Sequence, residues 1–156
     1  MSEHAYHHTE CLMPTLIVKN AAAAIDFYKK AFAAQELFRF EDEGRIGHAE
    51  LRIGGERLCL SDEFPDFGLL APATPGTVPA GLFLMVDCAD YWFDRAVVAG
   101  ATVQRPLVDT FYGHRCGGLI DPFGHRWNVS SIKEIVGKED MMRRYAEFKK
   151  TGCKLP

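Results

Sequence analysis

The sequence has no large excess of charge, no long apolar run and no paired cysteine motif, and each absence excludes a class of protein. The net charge is -3 over 156 residues, which leaves no basic surface for nucleic acid or an anionic membrane. No run approaches the ~18 apolar residues that a membrane-spanning helix needs. The five cysteines contain no CxxC pair, which argues against a disulfide scaffold and predicts a cytoplasmic protein.

What the sequence does contain is one order of elements that occurs twice. A strand at 13–18, a helix capped by Asn20 and three further strands give the order β-α-β-β-β over about residues 12–62;. The same order returns over about 80–131, where DPFG forms the last hairpin turn;. The sequence therefore predicts an α+β fold built from two similar modules.

Two further segments complete a single domain that we expect to span 1–156. The linker 63–79 contains four prolines, which disfavours regular structure;. The segment 138–150 is helical in pattern, and its apolar residues recur at every third position;. We expect this tail helix to dock on the body of its own chain.

Two stretches resemble a known superfamily: LIVKNAAAAIDFYKKAF in the first module and YGHRCGGLIDPFGHRWNVSS in the second. With them the chain resembles the vicinal oxygen chelate superfamily, which includes glyoxalase I, bleomycin-resistance and fosfomycin-resistance proteins and extradiol dioxygenases. GHAELRIG and SDEFP are similar to its PhnB-like branch. The resemblance implies an open curved sheet whose two concave faces form a cleft. The branch usually has glycine where Ala33 stands. If φ is positive at this position, alanine costs about 1 kcal/mol of stability relative to glycine.

Strand alternation separates the side chains that pack on helices from those that face the cleft. The candidate ligand-binding residues are His48, Glu50, Arg52, Cys59, Phe83, Met85, Arg115 and Asn128. A partly apolar cleft with a few polar anchors suits a small organic molecule. We expect that molecule to be aromatic or cationic, and the mild acidity of the chain favours a cation. The catalytic residues, if any, are not identified by a nucleophile motif.

The resemblance also implies a divalent metal, held by one residue from the first and one from the last strand of each module. These positions fall on Met13, Cys59, Gly81 and Asn128. Only Cys59 is an ordinary zinc or copper ligand, and one ligand does not hold a metal. We therefore expect no metal at these positions and no other cofactor. Three further histidines lie in a polar stretch interpreted as a tail: His4, His7 and His8.

A relocated metal site is the alternative. His48 and Glu50 stand two residues apart on one strand and point the same way, and His114 or His125 would be the third ligand;. A metal there would suit a lyase, isomerase or dioxygenase. Equally, His48 and Glu50 can pair with Arg52, Arg115 or Arg126 in a buried polar network.

Two other side chains, Arg115 and Cys59, can each be interpreted in two ways. Arg115 can clamp a ligand carboxylate, or it can pair with Asp109 or Asp121. Cys59 can be a reactive thiol with its pKa lowered by Arg57, or a plain buried cysteine.

The sequence thus predicts a homodimeric protein that binds a small organic molecule between its modules, without the usual metal. Drug sequestration is one version of this function. The alternative is a metal-dependent lyase, isomerase or dioxygenase. A third hypothesis is a dimerisation scaffold whose cleft is filled by the protein's own aromatic residues.

Overall fold

The computed structural model describes residues 11–152, and its elements follow the predicted order. The strands are Thr15–Val18 (β1), Gln35–Asp42 (β2), Arg45–Ile53 (β3), Glu56–Asp62 (β4), Gly81–Met85 (β5), Thr102–Asp109 (β6), His114–Ile120 (β7) and Arg126–Ile132 (β8). The helices are Ala21–Phe32 (α1), Ala89–Ala99 (α2) and Lys138–Lys150 (α3). His4, His7, His8 and Cys153 lie outside the described residues.

The strands form two four-stranded sheets with the same topology, β1-β4-β3-β2 and β5-β8-β7-β6. In each sheet the first strand pairs parallel with the last, and the other neighbours are antiparallel. A parallel pair requires a crossover connection, and the chain from β1 to β4 includes α1, as the chain from β5 to β8 includes α2;. The predicted α+β fold of two βαβββ modules with a C-terminal helix is confirmed.

Local signals begin and end these elements as expected, with one strained residue. The Asn20 side chain accepts a hydrogen bond from the backbone N–H of Ala23 at 3.0 Å and so caps α1;. The two-residue turn between β3 and β4 places Gly54 at φ 60°;. Ala33 ends α1 at φ 52° and ψ 36°, so its side chain stands in the left-handed region at a cost of about 1 kcal/mol.

The tail helix packs on its own chain. The Phe111 ring lies 5.7 Å from the Tyr145 ring and 5.0 Å from the Phe148 ring, measured between centroids. Both nitrogens of the Arg144 fork donate to the Glu134 carboxylate at 2.7 and 2.8 Å. Among the helices of residues 11–152, none is both long and apolar enough to cross a membrane.

An aromatic core joins the two modules. The α1 ring of Phe32 lies 4.5 Å from the ring of Trp127 on β8, and the Tyr28 ring lies 5.5 Å from it. Tyr28 is fully buried and Trp127 is 4% exposed. The helix of module 1 therefore packs on the sheet of module 2, as well as on α2.

The Asp121 carboxylate lies at the centre of this junction and is 3% exposed. Its Oδ2 accepts from the Tyr28 hydroxyl at 2.6 Å and from the Trp127 indole N–H at 2.9 Å. Its Oδ1 accepts from the backbone N–H groups of Phe123 and His125, both at 2.9 Å. Burial and the neighbouring carboxylate raise the pKa of Tyr28 well above its usual value, so the hydroxyl stays protonated and donates;. Four donors thus compensate the buried charge.

Replacing Tyr28 by phenylalanine tests this junction. Tyr28→Phe keeps the buried ring and removes one hydrogen bond to a charged group, so we expect the free energy of unfolding to fall by about 1.5–3 kcal/mol. Urea denaturation followed by circular dichroism measures the change. Tyr91→Phe is the matched control, because the Tyr91 side chain is 57% exposed. Equal stability of the two variants would contradict the assigned role.

Candidate functional site

The non-helical face of module 1 holds a cluster of three side chains. Glu50 on β3 and Cys59 on β4 lie directly opposite each other, and His48 shares the face of Glu50. One ligand atom from each of the three lies within 4.8 Å of the others. Glu50 is 2% exposed and Cys59 3% exposed. The structure thus brings together three of the predicted site residues.

Glu50 is held on two sides within this cluster. Its Oε1 lies 3.4 Å from His48 Nε2, and its Oε2 accepts from Arg57 Nη1 at 3.3 Å. The His48 ring packs beside two aromatic rings of β2, at 5.8 Å from Phe38 and 6.3 Å from Phe40 between centroids. A polar network with an arginine is therefore present, but the arginine is Arg57 and not the predicted Arg52, Arg115 or Arg126.

Cys59 is surrounded by groups that disfavour its thiolate. Burial, followed by the Glu50 carboxylate, raises the pKa of the Cys59 thiol, and Arg57 opposes this only in part;. This environment disfavours the thiolate, so it favours the plain buried cysteine over the Arg57-activated nucleophile.

Module 2 has a different set of residues at the equivalent place in its sheet. Asn128 on β8 lies opposite Phe83 on β5 and Gly118 on β7, and Gly118 lies opposite Arg105 on β6. Arg105 Nη2 donates to the Asn128 side-chain oxygen. A Cβ atom at Gly118 would stand 3.1 Å from Arg105 Nε. The glycine therefore gives the arginine its path across β7 to Asn128.

Arg105 is half-buried, and its hydrogen-bond partner is a neutral amide. Within residues 11–152, no carboxylate oxygen lies within 4.0 Å of its guanidinium. On the same face Phe83 is 54% exposed and Met85 45% exposed. A guanidinium with unused donors beside exposed apolar side chains can bind an anionic group and the apolar body attached to it.

Arg115 lies away from this face, which corrects its predicted place in the cleft. Alternation on β7 points it toward α2, where its Nε and Nη2 donate to the Asp90 carboxylate at 2.6 and 2.7 Å. Its Nη1 donates to Asp109 at 3.0 Å, so of its two predicted partners Asp109 is the actual one. Arg115 also holds the pKa of Asp90 below its usual range.

The two histidines suggested as third ligands have other partners. His114 Nδ1 lies 3.1 Å from the Ser130 hydroxyl on β8. His125 Nε2 lies 2.9 Å from the backbone oxygen of Ile17, which ties module 2 to β1. Neither joins the cluster that contains His48.

The positions at which the superfamily usually holds its metal do not fit a divalent ion here. Met13 precedes β1, and Gly81 pairs with Arg126 rather than with Asn128. The Asn128 oxygen already accepts from a cation, Arg105. A thioether, a thiol, a glycine and this amide do not make a donor set for such an ion.

An open groove runs along β5 and faces the β3–β4 hairpin. It consists of two adjoining hollows of about 400 and 430 Å³, within the usual range of ligand sites, about 300–1,000 Å³. Leu84 and Met85 line both; Arg52 lines the first, and Arg57 and Phe83 line the second. This open space argues against a cleft filled by the protein's own aromatic residues.

Comparison with known proteins gives consistent relatives. A family model described as the Glyoxalase/Bleomycin resistance protein/Dioxygenase superfamily matches residues 5–129. An uncharacterized protein of Mycobacterium bovis is 42% identical over 129 residues, which cover 80% of this chain and 85% of that protein. The crystal structure of PA1353 from Pseudomonas aeruginosa matches with a TM-score of 0.63 at 25% identity, over 81% of this chain and 100% of that one. The fosfomycin resistance protein FosX from Listeria monocytogenes matches in fold, with a TM-score of 0.62 at 16% identity, over 88% and 99% of the two chains.

Alkylation rates test the environment assigned to Cys59. With iodoacetamide at neutral pH, we expect Cys59 in the folded protein to react roughly tenfold or more slowly than the exposed Cys88, because it is buried and its pKa is raised;. Peptide mass spectrometry over time gives both rates. The buried Cys116 is the internal control for burial alone. Labelling of Cys59 as fast as that of Cys88 would show an accessible, reactive thiol.

Proposed function

The chain belongs to the glyoxalase/bleomycin resistance protein/dioxygenase superfamily, and from this membership we propose that it binds a small organic acid without the superfamily's usual metal. The main support is the half-buried guanidinium of Arg105, which has an amide partner and no carboxylate partner within residues 11–152. In this proposal the Arg105 guanidinium binds the oxygen atoms of the ligand, a role that a metal ion has in the metal-dependent members of the superfamily.

Arg105 would hold the acid group of the ligand, and Asn128 would orient Arg105. A guanidinium presents its N–H donors in one plane, which matches the two oxygens of a carboxylate. Asn128 uses one donor of Nη2 and leaves other N–H groups for the ligand. Gly118 keeps the space beside the guanidinium free of a side chain.

Phe83 and Met85 would hold the apolar body of the ligand. Both lie on the Asn128 face of module 2, Phe83 directly opposite Asn128, and both line the groove along β5. An aromatic ring and a flexible thioether make a surface that adapts to a flat or alkyl group. The mild net acidity predicted a cationic ligand, whereas the local chemistry around Arg105 favours an anion.

A second candidate function is that of a metal-dependent lyase, isomerase or dioxygenase. The observation in its favour is the cluster of His48, Glu50 and Cys59 on module 1. This function requires that these three residues bind a metal ion.

We also propose that the protein is a homodimer in solution. β1 and β5 are edge strands of the two sheets in the part of the chain that the structure describes, and Phe83 and Met85 on β5 are exposed. Exposed apolar edge strands favour association with another chain.

Light scattering after size exclusion tests the dimer. It should give twice the chain mass of 17.5 kDa, and a monomer at micromolar concentration would exclude the dimer.

Binding of simple aromatic acids tests the role of Arg105. Benzoate and phenylacetate should raise the melting temperature of the wild-type protein, whereas benzamide and phenylacetamide should not. Arg105→Gln should weaken acid binding by about 10–100-fold, because it removes a charge-assisted hydrogen bond of about 1.5–3 kcal/mol. Isothermal titration calorimetry measures the dissociation constants.

Arg115→Gln is the matched control for this experiment. It removes a guanidinium from the opposite face of β7, where Arg115 binds Asp90 and Asp109, so acid binding should be unchanged. If the acids bind Arg105→Gln as tightly as the wild type, or if the amides bind equally well, the proposed anchor is wrong.

A further inference from the structure

We propose that His48, Glu50 and Cys59 form a zinc site with one open coordination position. This site lies on module 1 and is separate from the Arg105 anchor of module 2. Of its three residues, only Cys59 stands at a position where the superfamily usually places a metal ligand. The other two ligands come from β3.

The backbone holds the three residues in a fixed relation. His48 and Glu50 alternate onto one face of β3, and Cys59 is the register partner of Glu50 on β4;. Their ligand atoms already lie within 4.8 Å of one another. Around a tetrahedral zinc such atoms are about 3.4–3.7 Å apart, so the ligand atoms would have to approach one another by roughly 1 Å.

The donor atoms select the metal. One imidazole nitrogen, one carboxylate oxygen and one sulfur suit zinc, whereas magnesium and calcium require oxygen ligands. Three protein ligands leave the fourth tetrahedral position open, as in zinc sites that bind a water or a substrate. The Phe38 and Phe40 rings beside His48 make the adjoining wall apolar.

Two neighbours fix the orientation of the Glu50 carboxylate. Its Oε1 faces His48, while Arg57 contacts the other oxygen, Oε2. One oxygen can therefore bind the metal while the arginine fixes the orientation of the carboxylate, which is the usual role of a partner behind a ligand. The His48 side chain is 39% exposed, so an ion can reach the site from solvent.

Zinc titration of full-length, tag-free protein stripped with a chelator tests the site. We expect one zinc ion per chain by calorimetry and elemental analysis. His48→Ala and Cys59→Ser should each bind zinc about a hundredfold or more weakly, and Cys116→Ser should bind it normally. His48→Ala guards against misfolding as the cause of loss, because His48 is partly exposed, and circular dichroism checks each variant.

Two further measurements separate this cluster from the N-terminal histidines. The triple variant His4→Ala, His7→Ala, His8→Ala should keep its single zinc ion. Cobalt in place of zinc should give a thiolate-to-metal absorption band in the wild type and in Cys116→Ser, and none in Cys59→Ser. Absence of stoichiometric zinc binding, zinc lost with the triple variant, or zinc and the cobalt band retained in Cys59→Ser would each overturn the site. Acid binding through Arg105 would be unaffected by that result.

Discussion

The buried carboxylate of Asp121 sets the arrangement of the two modules. One of its oxygens accepts from both the Tyr28 hydroxyl of module 1 and the Trp127 indole of module 2, and so joins α1 to the start of β8. The ring contacts between Phe32 and Trp127 then follow. This position also leaves β5 facing the β3–β4 hairpin, which creates the groove between them.

The two modules share a backbone plan but not a chemistry. At equivalent places in the two sheets, module 1 has Glu50 opposite Cys59, and module 2 has Gly118 opposite Asn128. We propose that Glu50 and Cys59 bind a cation. Gly118 makes room for Arg105, which we propose binds an anion. The proposed cation and anion sites would thus occupy equivalent places in one topology, because the fold sets positions and the side chains set the interactions.

The sequence predicted what depends on near neighbours and missed what depends on register. The Asn20 cap, the Gly54 turn and the shared face of His48 and Glu50 are local properties, and all are present. That Cys59 joins the cluster depends on the pairing of two strands. Arg105 was missed because β6 contains irregularities on both sides of it, so alternation does not reveal its face.

The prediction that Arg115 faces the cleft was wrong for a related reason. The glycine pair Gly117–Gly118 interrupts the alternation of apolar residues along β7, so the pattern does not show which face of the sheet Arg115 occupies. A Cβ at Gly117 would lie 2.5 Å from the Phe93 ring of α2, and one at Gly118 would press on Arg105. Gly117 thus allows α2 to pack closely on β7, and Gly118 leaves room for the Arg105 side chain. Any side chain larger than hydrogen at position 118 would press on the guanidinium, so relatives that bind the proposed acid through this arginine would have to keep the glycine as well.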